Sequence, residues 1–526
     1  MPARPFAAPA PGVDADVDQP VGTADDFAEP RAAASRVTAA SAPSQGGTPA
    51  ADTAAFHYHR VERHVADMIQ SGRFRPGDRL PSLRGLATSM GLSIATVGHA
   101  YLELERKGII EARPRSGYFV RRGMRGLPVP QARPAPPTGP REVNRARLIS
   151  TVLEAVGNRD LVPFGVLCPD ETLLPGRALG RILSEVMRSR AGEAAAYATI
   201  SGDLELRRQI AWRHRECGVG VGPDDILVTN GAVEALYIAL RCLTRPGDIV
   251  MIQSPTYYCF LQLIESLGLR AIEVPSTPEA GVDPRDVRHI LNRHQVAACA
   301  FSPNFNNPDG SLTPDDAKRE ILDMLAERGI HLIEDDVSTD LHYGPSRPST
   351  FLQWDVHGLV TLCSSFSKTV APGFRMGWMV TGRIGERARE IKATTNVCGA
   401  TLTQFAMAEY LRQGLFERQL RRLRTAFSRQ MQAMRMHLAD CFPPGTGVTR
   451  PEGGGVLWVE LPPGTDGVEL FFRARQAGIS VAPGAVFSTQ EKFANYLRLG
   501  CNGLWNERMA EGLRTLGRLA GECRTG

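Results

Sequence analysis

Lysine is scarce in this chain of 526 residues. Lys and Arg total 61, yet the only lysines are Lys107, Lys318, Lys368, Lys392 and Lys492. A lysine in an unusual local sequence therefore stands out. No apolar run approaches the roughly 20 residues that a membrane-spanning helix needs, which excludes a helical membrane protein. The ten cysteines never fall into a CxxC pair. A zinc ribbon and a disulfide-stapled secreted fold are poor readings, so reduced thiols, a cytoplasmic location and no metal site are expected. The first 50 residues hold no Leu or Ile but 14 Ala and 8 Pro. Such a stretch buries too little apolar surface to offset its ordering entropy, so 1–52 is expected to be a disordered tail. It has no apolar segment of a secretory signal, and its seven acidic residues argue against a transit peptide.

The charge is uneven. Residues 53–123 carry 12 basic and 6 acidic side chains, and residues 124–147 carry 5 and 1, on a chain whose formal net charge is +5. A basic front on a near-neutral body points to nucleic acid at one end and other work behind it. At about 150 residues per domain the length allows two to four domains, or one large domain with appendages.

Val61, Val65 and Ile69 recur at four-residue spacing and predict an amphipathic helix. Leu83–Met90 predicts a short helix capped by Ser82 and stopped by Gly91. Ser93 opens a third helix, with Ile94, Val97 and Ala100 facing inward and Ser93, Thr96 and His99 on its exposed start. Ile109–Ala112 and Tyr118–Arg121 predict a two-stranded wing around Arg113, Arg115 and Gly117. The third helix can then lie in a major groove while Arg79 and Arg84 grip phosphates or bases. Ser82 and Ser93 also fit plain helix caps.

Three separated pieces, Arg75-Pro-Gly-Asp-Arg-Leu-Pro-Ser-Leu-Arg84, Gly91-Leu-Ser-Ile-Ala-Thr-Val97 and Arg115-Ser-Gly-Tyr-Phe-Val120, closely resemble the winged helix-turn-helix of GntR-type regulators. The resemblance covers roughly residues 56–122. It implies contacts to double-stranded DNA from Arg79, Arg84, Ser93, Thr96, His99 and Gly117, with Arg115 on the wing tip.

Residues 124–147 are rich in Pro and Arg and are expected to be a semi-rigid extended linker. Beyond it, apolar strands such as Asp225–Thr229, Ile249–Gln253, Ala297–Ser302, His331–Glu334 and Val360–Cys363 alternate with helical stretches. That pattern predicts an α/β domain over 148–526 with a mostly parallel sheet, and a smaller α+β lobe at the C-terminal end.

The sharpest signal is Ser364-Ser-Phe-Ser-Lys-Thr-Val-Ala-Pro-Gly-Phe-Arg375, directly after a strand. A Schiff-base lysine must be held and desolvated so that its amine is free near neutral pH. Hydroxyls of Ser365 and Ser367, with Arg375, can clamp a phosphate. Lys368 and these groups together suit pyridoxal 5′-phosphate (PLP). Asp335, at the end of the preceding strand, can face a pyridine nitrogen, while Asp336 caps or is solvated. Thr229-Asn-Gly-Ala-Val233 is a strand-to-helix turn at which Gly231 and Ala232 offer backbone N–H groups. Tyr257 can stack on a flat ring, or fill a core. Asn307 can bond a ring oxygen, or shape a turn. Arg498, on the strand Tyr496–Gly500, can hold a carboxylate or form a salt bridge.

Together these pieces resemble the fold-type I aminotransferases over about residues 150–520, and the run Tyr197…Gly202…Leu206-Arg207 looks like the start of that domain. The resemblance implies Lys368 as the aldimine-forming, catalytic lysine, Asp335 as partner of the pyridine nitrogen and Asn307 of the ring oxygen. It implies phosphate binding by Ser365, Ser367, Arg375, Gly231 and Ala232, stacking by Tyr257, and a substrate or effector carboxylate on Arg498. The family usually has a tyrosine just after the acidic pair, where Val337 and Ser338 stand here; Asp309 stands where Thr is commoner.

A GntR-like head, a linker and an aminotransferase-like body are similar to the MocR-type regulators. That resemblance implies a DNA-binding transcriptional regulator, a homodimer, that senses PLP or an amino compound. The alternatives are a competent PLP-dependent aminotransferase with a fused head, and a body that serves dimerisation alone.

Overall fold

The computed structural model describes residues 60–523, except 63, 66, 70–72, 76, 107–108, 114–115, 121–126, 131–138, 145 and 491. The expected tail at 1–52 and the wing-tip Arg115 lie outside the described residues, as does much of the expected linker.

The front module is a winged helix-turn-helix. Residues 60–69 are helical where described. Helix α1 (Leu83–Met90) begins at Ser82, whose Oγ accepts from the Gly85 N–H at 3.1 Å, and ends at Gly91, which turns left-handed with φ 65°. Helix α2 (Ile94–Arg106) is capped by Ser93, whose Oγ accepts from the Thr96 N–H at 3.0 Å. Strands β1 (Ile110–Arg113) and β2 (Gly117–Val120) pair antiparallel as the wing. Val61, Val65, Leu86, Val97, Tyr101, Leu104, Ile110 and Val120 form the core between them. One expectation fails. Ile94 is 49% exposed, because the apolar face of α2 continues past the point where the small core ends.

In the body, β3 (Arg141–Glu142), β4 (Ile226–Thr229), helix α3 (Ala232–Leu243), β5 (Ile249–Ser254), β6 (Arg270–Thr277), β7 (Ala298–Phe301), β8 (His331–Asp335), β9 (Val360–Ser365) and β10 (Gly377–Val380) follow in chain order. The sheet runs β3-β6-β5-β7-β8-β9-β10-β4. Strands β6, β5, β7, β8 and β9 are mutually parallel; β10 runs against β9 and β4, so β4 points the same way as the parallel set. The parallel strands are apolar and buried, as expected where helices cover both faces. Their C-terminal ends converge on one crevice, where sites in such sheets form.

The C-terminal lobe follows the long helix α4 (Leu415–Cys441). It is a four-stranded antiparallel sheet of β11 (Gly447–Val448), β12 (Val456–Glu460), β13 (Ala482–Pro483) and β14 (Tyr496–Gly500), backed by helix α5 (Glu507–Glu522). One hydrophobic cluster runs from α3 and β5 into this lobe through Leu457, Leu497 and Leu513, so lobe and sheet share a core. The expected linker is part of this body where it is described. Arg141 pairs with Ala271 at the edge of the sheet, and Leu127–Pro130 lies along β11. No helix among the described residues is long and apolar enough to cross a membrane.

Candidate cofactor site

Asp335 ends β8, and its neighbour in register on β9 is Cys363, five residues before Lys368. Strand β9 runs into a short 3-10 turn, Phe366–Lys368, which swings the lysine over the strand ends. Its Nζ donates to the carbonyl of Leu167, and the residue is half-buried. Burial pulls the Lys368 amine down to about 8; Arg498 and Arg375 push the same way, against Cys168 and Asp335. Burial raises the Asp335 carboxyl to about 6, against hydrogen bonds from the Val337 N–H and the Ser302 Oγ, each at 3.3 Å, and against Lys368.

The residues expected to hold a phosphate come together from three segments. Arg375 donates to Ser367 Oγ at 3.4 Å and to the Asn230 carbonyl at 3.2 Å. The Ser367 N–H lies 3.4 Å from Ser365 Oγ. Gly231, with φ 88°, opens α3 with no side-chain cap, so the N–H groups around Ala232 point outward. A Cβ at Gly231 would overlap the Arg375 guanidinium, and one at Gly377 would come 2.5 Å from the Gly231 carbonyl carbon. Uncapped N–H groups, two hydroxyls and a guanidinium packed on bare backbone fit a phosphate group.

Arg498 on β14 is fully buried. It donates to the Gly165 carbonyl and to Asn307 Oδ1, the latter at 3.4 Å, while its Nε has no partner. A buried guanidinium with an unmet donor fits an incoming carboxylate. Tyr257, half-buried after β5, packs its ring 4.8 Å from that of Tyr258, and burial raises its hydroxyl well above the usual value. Lys368, Asp335, Asn307, Tyr257 and the cradle thus come from the ends of β4, β5, β7, β8 and β9 or the turns just beyond them, and Arg498 from the middle of β14.

Asp336 is neither solvated nor a cap. It is buried and paired with Arg347 at 2.6 Å, and Arg347 also reaches Asp340 at 2.9 Å. Arg213 meets Asp340 at 3.0 Å. Val337 and Ser338 occupy the place of the missing tyrosine. Tyr343, five residues on, gives its hydroxyl to the Gly454 carbonyl at 2.6 Å. The carbonyls of Gly165 and Leu167 and the Ser302 hydroxyl were not anticipated; backbone acceptors leave no mark in a sequence. The other described lysines are engaged elsewhere. Fully buried Lys318 donates to Asn304 Oδ1 and the Ser349 carbonyl, both at 2.8 Å. Lys392 donates to Asn396 Oδ1 at 2.9 Å, and Lys492 lies 3.4 Å from Glu273.

On the head, Arg79 and Arg84 are exposed. Arg79 lies beneath the wing, with its Nε 3.5 Å from where a Cβ on Gly117 would stand, and Gly117 has φ 98°. Ser93 and Thr96 are joined hydroxyl to hydroxyl at 2.8 Å at the start of α2, one turn from exposed His99.

Residues 174–516 match the model of the class I and II aminotransferases, and residues 57–120 match that of the gntR family of bacterial regulatory proteins. The uncharacterized HTH-type transcriptional regulator YjiR of Escherichia coli is 35% identical over 88% of this chain and 98% of its own length. The chain belongs to the MocR-type transcriptional regulators. The HTH-type transcriptional regulator TauR of Rhodobacter capsulatus is similar across the same two parts, 26% identical over 88% of this chain and 96% of its own. Among solved structures, the α-aminoadipate aminotransferase LysN of Thermus thermophilus, complexed with N-(5′-phosphopyridoxyl)-L-leucine, aligns with TM-score 0.66 and 28% identity. That alignment covers 72% of this chain and 95% of LysN. A MocR-type regulator thus joins a DNA-binding head to a PLP-dependent type I fold.

Proposed function

We propose that this regulator binds PLP covalently through Lys368 and responds to PLP or to an amino compound by changing how its head engages double-stranded DNA. The observation that carries this reading is that Lys368, in the turn just past β9, has its amine lowered by burial while Asp335 ends the adjacent parallel strand β8, on a chain with a GntR head. Bound PLP would supply an electron sink and an aldehyde for amines. Asp335 would hold a proton on the ring nitrogen, Asn307 would bond the ring oxygen and Tyr257 would stack on the ring. Gly231, Ala232, Ser365, Ser367 and Arg375 would hold the phosphate, and Arg498 a carboxylate of the effector. On the head, Arg79, Arg84, Ser93, Thr96, His99 and Gly117 would meet DNA. The proposed division is 53–123 for the head, 124–147 for the connection and 148–526 for the body.

Exposed apolar side chains beside the cradle support a homodimer. Val233 follows Ala232, and Val397 follows Asn396, which bonds Glu234. Tyr197, 87% exposed, follows Ala196, whose carbonyl accepts from Thr401. Ser338 in place of the family's phenol favours regulation over rapid turnover. Absorption spectra of the purified chain with and without PLP, followed by borohydride reduction and mapping of the modified residue, test the reading. Labelling at Lys368 together with a PLP-dependent change in affinity for the chain's own upstream DNA supports it; the absence of both refutes it.

A further inference from the structure

The segment Leu127–Pro130, expected to be part of a spacer, is seated on the body. The Pro128 carbonyl accepts from the Val448 N–H at 2.8 Å, and the Leu127 carbonyl from the Arg450 guanidinium at 3.3 Å. Leu127 packs against the main core. Pro130 is buried among Pro255, Ser276, Asp309, Trp458, Phe493 and Tyr496, with a cavity of only about 10 Å³ left between them. That is barely the space of one water. The aromatic wall is itself tightly assembled: the Trp458 ring lies 5.1 Å from Tyr496 and 5.6 Å from Phe493. Gly447 lies directly under the strap: a Cβ there would stand 3.3 Å from the Pro128 carbonyl oxygen and 3.5 Å from Pro130 Cγ.

The opposite wall of the seat belongs to the cofactor site. Pro255 precedes Tyr257 by two residues, and Asp309 follows Asn307 by two. Asn306 ties these two loops together, donating to the Pro255 carbonyl at 3.1 Å and to Asp309 Oδ1 at 2.8 Å. Both Asn306 and Asp309 are fully buried. A shift of Tyr257 or Asn307 therefore reaches Pro130 through one side chain.

We propose that Leu127–Pro130 is a strap whose seating is biased by occupancy of the cofactor site, and that seating sets how far the head can travel. This rests on the PLP-binding reading above. The wing ends at Val120. With the strap seated, the chain from Val120 to Leu127 spans at most about 25 Å. With it released, the next anchor among the described residues is Pro140, whose carbonyl accepts from Arg270 at 3.3 Å beside β3, and the limit becomes about 70 Å. Two heads held within the first limit reach fewer spacings of DNA half-sites than two heads held within the second. The strap is thus a two-state element whose equilibrium the site can shift, which is what coupling requires.

Amide hydrogen exchange on the full-length chain tests this directly, because the Val448 N–H is bonded only while the strap is seated. The apo protein and the protein loaded with PLP are compared, with the absorption band of the Lys368-bound cofactor and DNA affinity read on the same samples. Exchange at Val448 should differ by about tenfold or more between the two forms. Pro130→Asp, which puts a carboxylate beside Asp309, should exchange fast at Val448, keep the band and lose the PLP dependence of DNA affinity. The milder Gly447→Ala, whose methyl group moves the Pro128 carbonyl by only a few tenths of an ångström, should keep the band and exchange at Val448 at a rate between those of the wild type and Pro130→Asp. A PLP-dependent DNA affinity with Val448 exchange unchanged in the wild-type chain would overturn the strap alone. Absence of the band would overturn the underlying reading, and the strap with it.

Discussion

The Arg375 guanidinium rests against the backbone of Gly231, donating to the Asn230 carbonyl at 3.2 Å, so two segments 145 residues apart share one surface. Gly231→Ala would drive a methyl group into that guanidinium and would strain a residue at φ 88°. PLP affinity, followed by the cofactor absorption, should fall about tenfold or more, with about 1–2 kcal/mol lost from the apo protein. An unchanged affinity would remove Gly231 from the phosphate cradle.

Lys368→Ala should abolish borohydride-trapped cofactor. Because burial brings the Lys368 amine to about 8, wild-type loading with PLP should accelerate with rising pH and level off above about 8. A free lysine would require about 10.4. A plateau only near the value for free lysine would show that the amine is not desolvated.

Asp335 carries a cost in the cofactor-free chain. Its carboxyl titrates at about 6 in the fold, above the roughly 3.9 of an unfolded chain. Between those values the folded state binds more protons, so the contribution is full below about 3.9 and is lost as pH rises through 6. Asp335→Asn should therefore stabilise the apo protein at pH 7 by about 2 kcal/mol, with little effect at pH 4. The same variant should weaken PLP binding. Melting curves at the two pH values, with and without PLP, separate these effects.

Arg347→Ala would leave buried Asp336 without its 2.6 Å partner. A stability loss of about 3 kcal/mol is expected, with partial recovery in Arg347→Lys. Denaturant unfolding of the apo protein measures it. A loss near zero would mean that water reaches Asp336.

Arg84→Ala should weaken DNA binding across sequences and lower the slope of log affinity against log salt by about one. A titration at several salt concentrations reads both.

The strands that carry the site were legible because buried parallel strands are apolar runs, and β14 at Tyr496–Gly500 was bounded to the residue. Lys368 drew notice because the chain has so few lysines and this one follows a strand. The antiparallel β10 was not, because four buried residues beginning with Gly carry no alternation to read. The partner of Asp336 was missed because Arg347 lies eleven residues on and nothing local marks a charge pair across a turn. Proline content alone reads as a spacer, and the seat of Pro130 is built from Trp458, Phe493 and Tyr496, more than 300 residues later. Ile94 was misplaced because helical periodicity says which face is apolar but not how far the core extends.

The engagement of Lys318, Lys392 and Lys492 has a bearing on selectivity between chemical groups. Aldehydes condense indiscriminately with accessible primary amines, and most proteins offer many decoys. Here three of the lysines are occupied by internal acceptors or a carboxylate, and arginine, which forms no such condensate under mild conditions, supplies nearly all the remaining positive charge. A reactive carbonyl meeting this chain finds few competing nucleophiles, so trapping at Lys318, Lys392 and Lys492 should be slight beside trapping at Lys368.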